Sequence, residues 1–256
     1  MRRSDQRVRT EKAGPYLRFC VMLVYPLTSL LFKRRWSGMA KIPVRGPAII
    51  AINHISYADP FVAARFIWDS GRNPRYLAKA SLFSAPVTGR IVTGAGQIPV
   101  HRGTADANQA LQGAVEALQR GEMVLIYPEG TVTRDPDFWP MQAKTGIARL
   151  ALLAPDVPVI PLGQWGAQRF LDFYARKFRP IPRKRVSISV GDPIDLSKYA
   201  GSQPTHEVLH EMTEKIMTAV RDQVAEIRGE QPPAQFYQRP SEAGQRPSDA
   251  GSRRHR

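Results

Sequence analysis

AIIAINHISYADPF, residues 48–61, decides the fold. Five apolar residues come first and are short enough for one strand. A polar Asn-His pair ends the run, and Asp59-Pro60 opens the helical pattern PFVAARFIW, 60–68. Asp followed by Pro is a strong helix start, so the stretch reads as strand, turn, helix. It places His54 just past the end of an apolar strand. An i, i+5 pair turns through about 500° on a helix and shares no face. His54 and Asp59 can therefore meet only if ISYA is a tight turn. If it is, a carboxylate on one imidazole nitrogen leaves the other free to take a proton. If it is not, Asp59 only caps a helix and His54 is a loop histidine.

The same alternation continues along the chain. RYLAKA (75–80) is extended, TADANQALQGAVEALQRG (104–121) has the spacing of one helix face, and MVLIY (123–127) is a strand. KTGIARLALLA (144–154) reads as a helix, VPVIPLG (157–163) and RVSISVG (185–191) as strands, and HEVLHEMTEKIMTAVRDQVAEI (206–227) as a long amphipathic helix. Several strands are apolar on both faces. That pattern predicts an α/β fold with a largely parallel central sheet flanked by helices, with ligands bound beyond the carboxyl ends of strands. His54 and Glu129 both follow such ends.

The 256 residues carry a formal charge of +15 and 43% hydrophobic residues, so the chain builds a sizeable core and favours an anionic partner. One cysteine, Cys20, excludes an internal disulfide and any multi-cysteine metal site. The five histidines are scattered, and no metal is expected. There is no G-x-S-x-G elbow, P-loop or dinucleotide fingerprint. Zinc-finger, RRM and helix-turn-helix signatures are also missing, so no nucleic acid partner is expected.

Four segments are expected. Residues 1–12 form a basic flexible leader, 13–40 a membrane-associating segment, 41–228 the folded domain, and 229–256 a disordered tail rich in Pro, Gly, Ser, Gln and Arg. YLRFCVMLVYPLTSLLF (16–32) is short for a span and interrupted by Pro26. A buried core helix fits it. So does a surface anchor, favoured by Lys33, Arg34, Arg35 and Trp36 immediately after. RFLDFYARKFRPIPRKR (169–185), with seven basic residues and four aromatics, suits a headgroup-binding face.

Three further stretches sharpen the reading of His54: GQIPVHRG (96–103), YPEGT (127–131) and VPVIPLG (157–163). In this order after NHISYAD they resemble the glycerolipid acyltransferases that include the 1-acylglycerol-3-phosphate acyltransferases. The resemblance covers roughly residues 40–200. It implies that His54 is a general base oriented by Asp59, and that a hydroxyl attacks an acyl thioester with no acyl-enzyme. It further implies that Arg102 binds the acceptor's phosphate with help from Lys144, and that Glu129, Gly130 and Thr131 contact the acceptor. No cofactor is implied; the thioester of coenzyme A or a carrier protein is a co-substrate. The implied acceptor is a lysophospholipid, giving phosphatidic acid in phospholipid biosynthesis. Glycerol 3-phosphate or a glycosylated phosphoinositide are the alternatives, and a non-catalytic basic membrane- or nucleic-acid-binding protein is the rival from another class. Attachment to the cytoplasmic face of an anionic membrane follows from the lipid product. The sequence departs from the family pattern at Val132, where an arginine often stands; Arg134 comes two places later.

Overall fold

The computed structural model describes residues 7–100, 111–174 and 176–238. Five strands form the central sheet: β1 (Phe32–Ser37), β2 (Ala48–Ile52), β5 (Met123–Ile126), β6 (Val159–Trp165) and β9 (Lys184–Val190), in the order β1-β9-β6-β2-β5. β2, β5 and β6 pair in parallel, as do β1 and β9, but β9 runs antiparallel to β6. The sheet is thus mostly parallel, with an opposed pair at one edge. Between β6 and β9 the chain makes a small hairpin, β7 (Leu171–Asp172) with β8 (Lys177–Phe178), rather than a helical crossover, and so returns in the opposite sense. Short strands β3 (Leu77–Lys79) and β4 (Ile98–Val100) pair in parallel along the β5 edge of the central sheet, where Tyr76 bridges to Leu125.

Side chains alternate across the sheet. Ile50, Ile52, Leu125 and Leu162 face α2 (Asp59–Asp69) and its Val62 and Phe66. Ile49, Ala51, Val124 and Val159 face a second layer of α4 (Gln112–Gln119), α5 (Gly146–Leu153) and α6 (His206–Arg228). α6 buries Leu209, Met212, Ile216, Val220 and Val224 along one stripe. It crosses β6 so closely that a Cβ on Gly163 would lie 2.6 Å from the backbone of Gln223 and Val224. Only glycine fits there. α3 (Thr88–Gly94) completes the elements near the site.

Three expectations near the ends change. Lys33, Arg34, Arg35 and Trp36 after α1 (Pro15–Leu31) form strand β1, where Trp36, expected in a headgroup layer, packs edge-on to Phe66 and donates Nε1–H to Asp69 at 3.2 Å. Its indole serves the core layer. The described part of the leader, residues 7–12, is a packed strap rather than a loose arm. Glu11 pairs with Arg72, whose side chain is 1% exposed, and with Arg75 at 2.9 Å. A buried guanidinium needs that counter-charge, and a composition-based reading cannot see it. At the other end, residues 231–238 lie against the body: Phe236 sits beneath Arg221, and the backbone of Tyr237 bridges to Met141. The tail's remaining residues, 239–256, lie outside the described residues, as do Arg102 and Thr104.

Among the described residues no helix is long and apolar enough to cross a membrane. α1 instead rests on α2 through the buried Arg65, which grips Asp69 at 3.0 Å and the Tyr25 carbonyl and Ser29 hydroxyl of α1. Its other side leaves Phe19, Met22, Leu23, Leu27 and Leu30 exposed.

Candidate active site

ISYA is a tight turn, and the chain folds back. Asp59 does not cap α2 with its side chain. One oxygen, Oδ2, accepts from the backbone N–H of Ile55 at 2.6 Å and of Ser56 at 2.8 Å, and meets His54 Nδ1 at 2.8 Å. Backbone N–H groups only donate, so Oδ2 is the acceptor throughout and the imidazole proton sits on Nδ1. Nε2 is left with a lone pair on the ring, which faces the cavity. Asp59 is fully buried, and burial pushes its pKa up, against the pull of His54 and the N–H groups of Ser56 and Ile55. Its other oxygen, Oδ1, is buried and has no hydrogen-bond partner among the described residues.

The YPEGT turn after β5 and Thr133 just beyond it hold the backbone of His54 from both sides. His54 N–H donates to Glu129 Oε1 at 2.7 Å, and Thr133 N–H donates to the His54 carbonyl at 2.7 Å. Glu129 also accepts from Met141 N–H at 3.1 Å and is 1% exposed. It stands behind the cavity wall, so the geometry gives it a different task from the acceptor contact expected of it: it braces the turn that carries His54. Tyr127 from the same turn stacks on the imidazole, with ring centroids 4.4 Å apart. Burial pushes the pKa of Tyr127 and of Tyr76 well above the ordinary tyrosine range, so both stay phenols.

Burial also pushes the Glu129 carboxyl up to about 8, despite its two N–H donors. The folded chain then holds a proton that an unfolded chain releases near pH 4.5. Between about pH 4.5 and 8 the native state binds more protons than the unfolded state, so stability falls as pH rises. Melting temperatures between pH 6 and 8.5 should therefore decline, and Glu129→Gln should flatten that slope. An unchanged slope in the variant contradicts the assignment.

His54 opens onto a cavity of about 680 Å³. Its body is apolar, with Leu77, Leu82, Val92, Val100, Leu111, Ile126 and Ile147 in the walls. Gly130, Thr131, Lys144, Arg149 and Lys79 line it as well. Gly130 adopts φ +71°, and the Lys144 Nζ lies 4.0 Å from where a Cβ on Gly130 would be. The N-terminal end of α5, at Thr145 and Gly146, faces the same space. That wall is therefore positive by both side chains and helix end, and suits an anionic head. Of the expected site residues, His54, Gly130, Thr131 and Lys144 meet at the cavity, and Asp59 and Glu129 stand behind it. Arg102 lies outside the described residues. Sequence reasoning missed Tyr127, Lys79 and Arg149. A tyrosine abutting the EGT turn was the available signal for the first; nothing local marks the other two.

The Acyltransferase family model matches residues 33–165, just over half of the chain. The chain belongs to the acyltransferase family. Among curated relatives, tafazzin of Drosophila melanogaster is 32% identical over 139 residues, half of this chain and 35% of the relative. A lyso-ornithine lipid O-acyltransferase of Pseudomonas aeruginosa is 34% identical over 106 residues, 41% of this chain and 38% of the relative. A chloroplastic 1-acyl-sn-glycerol-3-phosphate acyltransferase of Brassica napus is 25% identical over 150 residues, 58% of this chain and 40% of the relative. The matches thus span well under half the length of these relatives. The crystal structure of the 1-acyl-sn-glycerophosphate acyltransferase PlsC of Thermotoga maritima has the same fold: TM-score 0.62, 22% identity, covering 85% of this chain and 81% of that one. The acyltransferase match includes the His54 turn, the YPEGT turn and the central strands β1 (from Lys33), β2, β5 and β6, and ends before β9.

Proposed function

We propose that the protein is an O-acyltransferase that moves an acyl chain from a thioester to the free hydroxyl of 1-acylglycerol 3-phosphate, forming phosphatidic acid. One observation carries this reading: a His54–Asp59 pair with its basic nitrogen toward an apolar cavity whose facing wall is cationic. The hydroxyl gives its proton to His54 Nε2 as its oxygen bonds to the thioester carbonyl carbon. Asp59 holds the imidazolium. The carbon–sulfur bond then breaks, the thiolate takes the proton from His54, and ester and free thiol leave with the imidazole neutral again. The acyl chain lies along the apolar walls, and the acceptor phosphate lies against Lys144, with Arg102 and Lys79 as further cations. The donor is acyl-coenzyme A or an acylated carrier protein, and no cofactor takes part.

The product stays in a bilayer, so the enzyme works at a membrane surface, on the cytoplasmic face. Support comes from the exposed row Phe19, Met22, Leu23, Leu27 and Leu30 on α1. Ile181, 86% exposed, and Phe178 extend it, because Arg183 donates to the Ser29 and Phe32 carbonyls at the end of α1. The basic residues around them face anionic headgroups.

A second acceptor class is favoured by one finding: the relative named as acting on lyso-ornithine lipid is more identical over its match than the phosphatidate-forming one. Assays of purified protein on anionic vesicles with lysophosphatidic acid, glycerol 3-phosphate and lyso-ornithine lipid separate the readings. Lysophosphatidic acid should turn over fastest. Lys144→Ala should raise its KM about tenfold, the loss expected of one charge-assisted contact, with little change in kcat. Equal turnover of the phosphate-free acceptor, or an unchanged KM, would overturn the phosphate assignment. In the same assay, Leu23→Asp with Leu27→Asp should abolish sedimentation with vesicles; sedimentation equal to wild type would refute the α1 contact.

A further inference from the structure

The polar pair Asn53 and Gln164 is fully enclosed at the catalytic end of the sheet, at 0% and 1% exposure, and the mechanism above uses neither. Burying two amides is costly unless they are bonded, and these bond to each other's chain. Asn53 Nδ2 donates to the Gln164 carbonyl at 3.1 Å, and Gln164 N–H donates to Asn53 Oδ1 at 2.8 Å. Gln164 Nε2 donates to the Asn53 carbonyl at 2.5 Å. β2 pairs with β6 only as far as Ile52 and Leu162. The amide pair carries that attachment past the strand end, to the residue before His54.

The peptide group joining Asn53 to His54 is consequently gripped at both ends. Its carbonyl takes Gln164 Nε2, and its N–H gives to Glu129 Oε1 at 2.7 Å. With the next peptide plane held by Thr133 N–H on the His54 carbonyl at 2.7 Å, the two planes together set the His54 backbone and so the direction of its Cα–Cβ bond.

We propose that Gln164 is a positioning residue for His54: through the Asn53 carbonyl it sets the orientation of the imidazole relative to the cavity. The inference rests on the reading of His54 as the base. Misplacement of a catalytic group by about 1 Å can cost about 100-fold in rate. Gln164→Leu keeps the volume and removes the amide; Gln164→Met keeps the unbranched length and likewise removes the Nε2 donor. Both are assayed beside His54→Ala, with rates expressed per folded molecule at a temperature well below each variant's melting point. Both Gln164 variants should lose about 10- to 100-fold in kcat, with KM for donor and acceptor within about threefold of wild type. The ¹H–¹⁵N signal of the His54 Nδ1 proton, held by Asp59 in wild type, should broaden or vanish in them. A merely structural glutamine would lower the melting temperature and leave kcat per folded molecule and that signal unchanged. If His54→Ala is inactive while Gln164→Met keeps wild-type kcat and the Nδ1 signal, the positioning role is overturned and the base assignment stands. If His54→Ala itself stays active, both fall.

Discussion

His54→Ala is expected to lower the rate of acyl transfer by about 10²–10⁴-fold, the usual contribution of a positioned general base. The fold should survive the change, because the turn is held by main-chain groups. Residue 54 keeps its N–H bond to Glu129 and its carbonyl bond from Thr133 whatever its side chain. Asp59 also keeps two of its three donors, the N–H groups of Ile55 and Ser56. The loss of stability should therefore be about 1 kcal/mol, typical of a single substitution. Initial rates with acyl-coenzyme A and lysophosphatidic acid, read beside a melting curve, test both halves. A variant within a few-fold of wild-type rate would show that His54 is not the base.

Asp59 should divide its effects between two variants. In Asp59→Asn the side-chain carbonyl oxygen can take the place of Oδ2 and accept from Ile55, Ser56 and His54 Nδ1. The reverse orientation would set an NH₂ against two backbone N–H donors, so those donors select the productive one. The tautomer is kept, and only the negative charge that holds the imidazolium is lost. A fall in kcat of about 10²-fold with a melting temperature near wild type is expected. Asp59→Ala should be worse in both respects. It strands two buried N–H groups at about 1–3 kcal/mol each, and it releases the imidazole. If Asp59→Asn loses stability but not rate, Asp59 is only a turn residue.

Much of this was legible in the sequence for a definite reason. Buried parallel strands are uniform apolar runs, so AIIAI, MVLI and the VIPL of β6 stand out, and a polar residue directly after one marks a strand's carboxyl end. The meeting of His54 with Asp59 was legible only as a condition, because spacing cannot say whether ISYA turns. What the sequence hid were contacts with no local pattern. Glu11 finds Arg72 across some sixty residues. Gln164 finds Asn53 across more than a hundred. Glu129 looks like a turn carboxylate free to meet a ligand, yet two main-chain donors and an apolar enclosure turn it into a brace. Charge patterning also misled at Trp36: a tryptophan after three cations suits a headgroup layer, but here the cations stand on an edge strand and the ring packs inward.

The central claim is that an alcohol attacks the thioester directly, with His54 taking its proton. The mass of the intact protein after incubation with acyl-coenzyme A alone, followed by addition of lysophosphatidic acid, tests it most directly. The account predicts no mass increase at any time, and free thiol released only after the acceptor is added, one thiol for each new ester. An acyl group found covalently on the protein, with a burst of thiol before any acceptor is present, would contradict it.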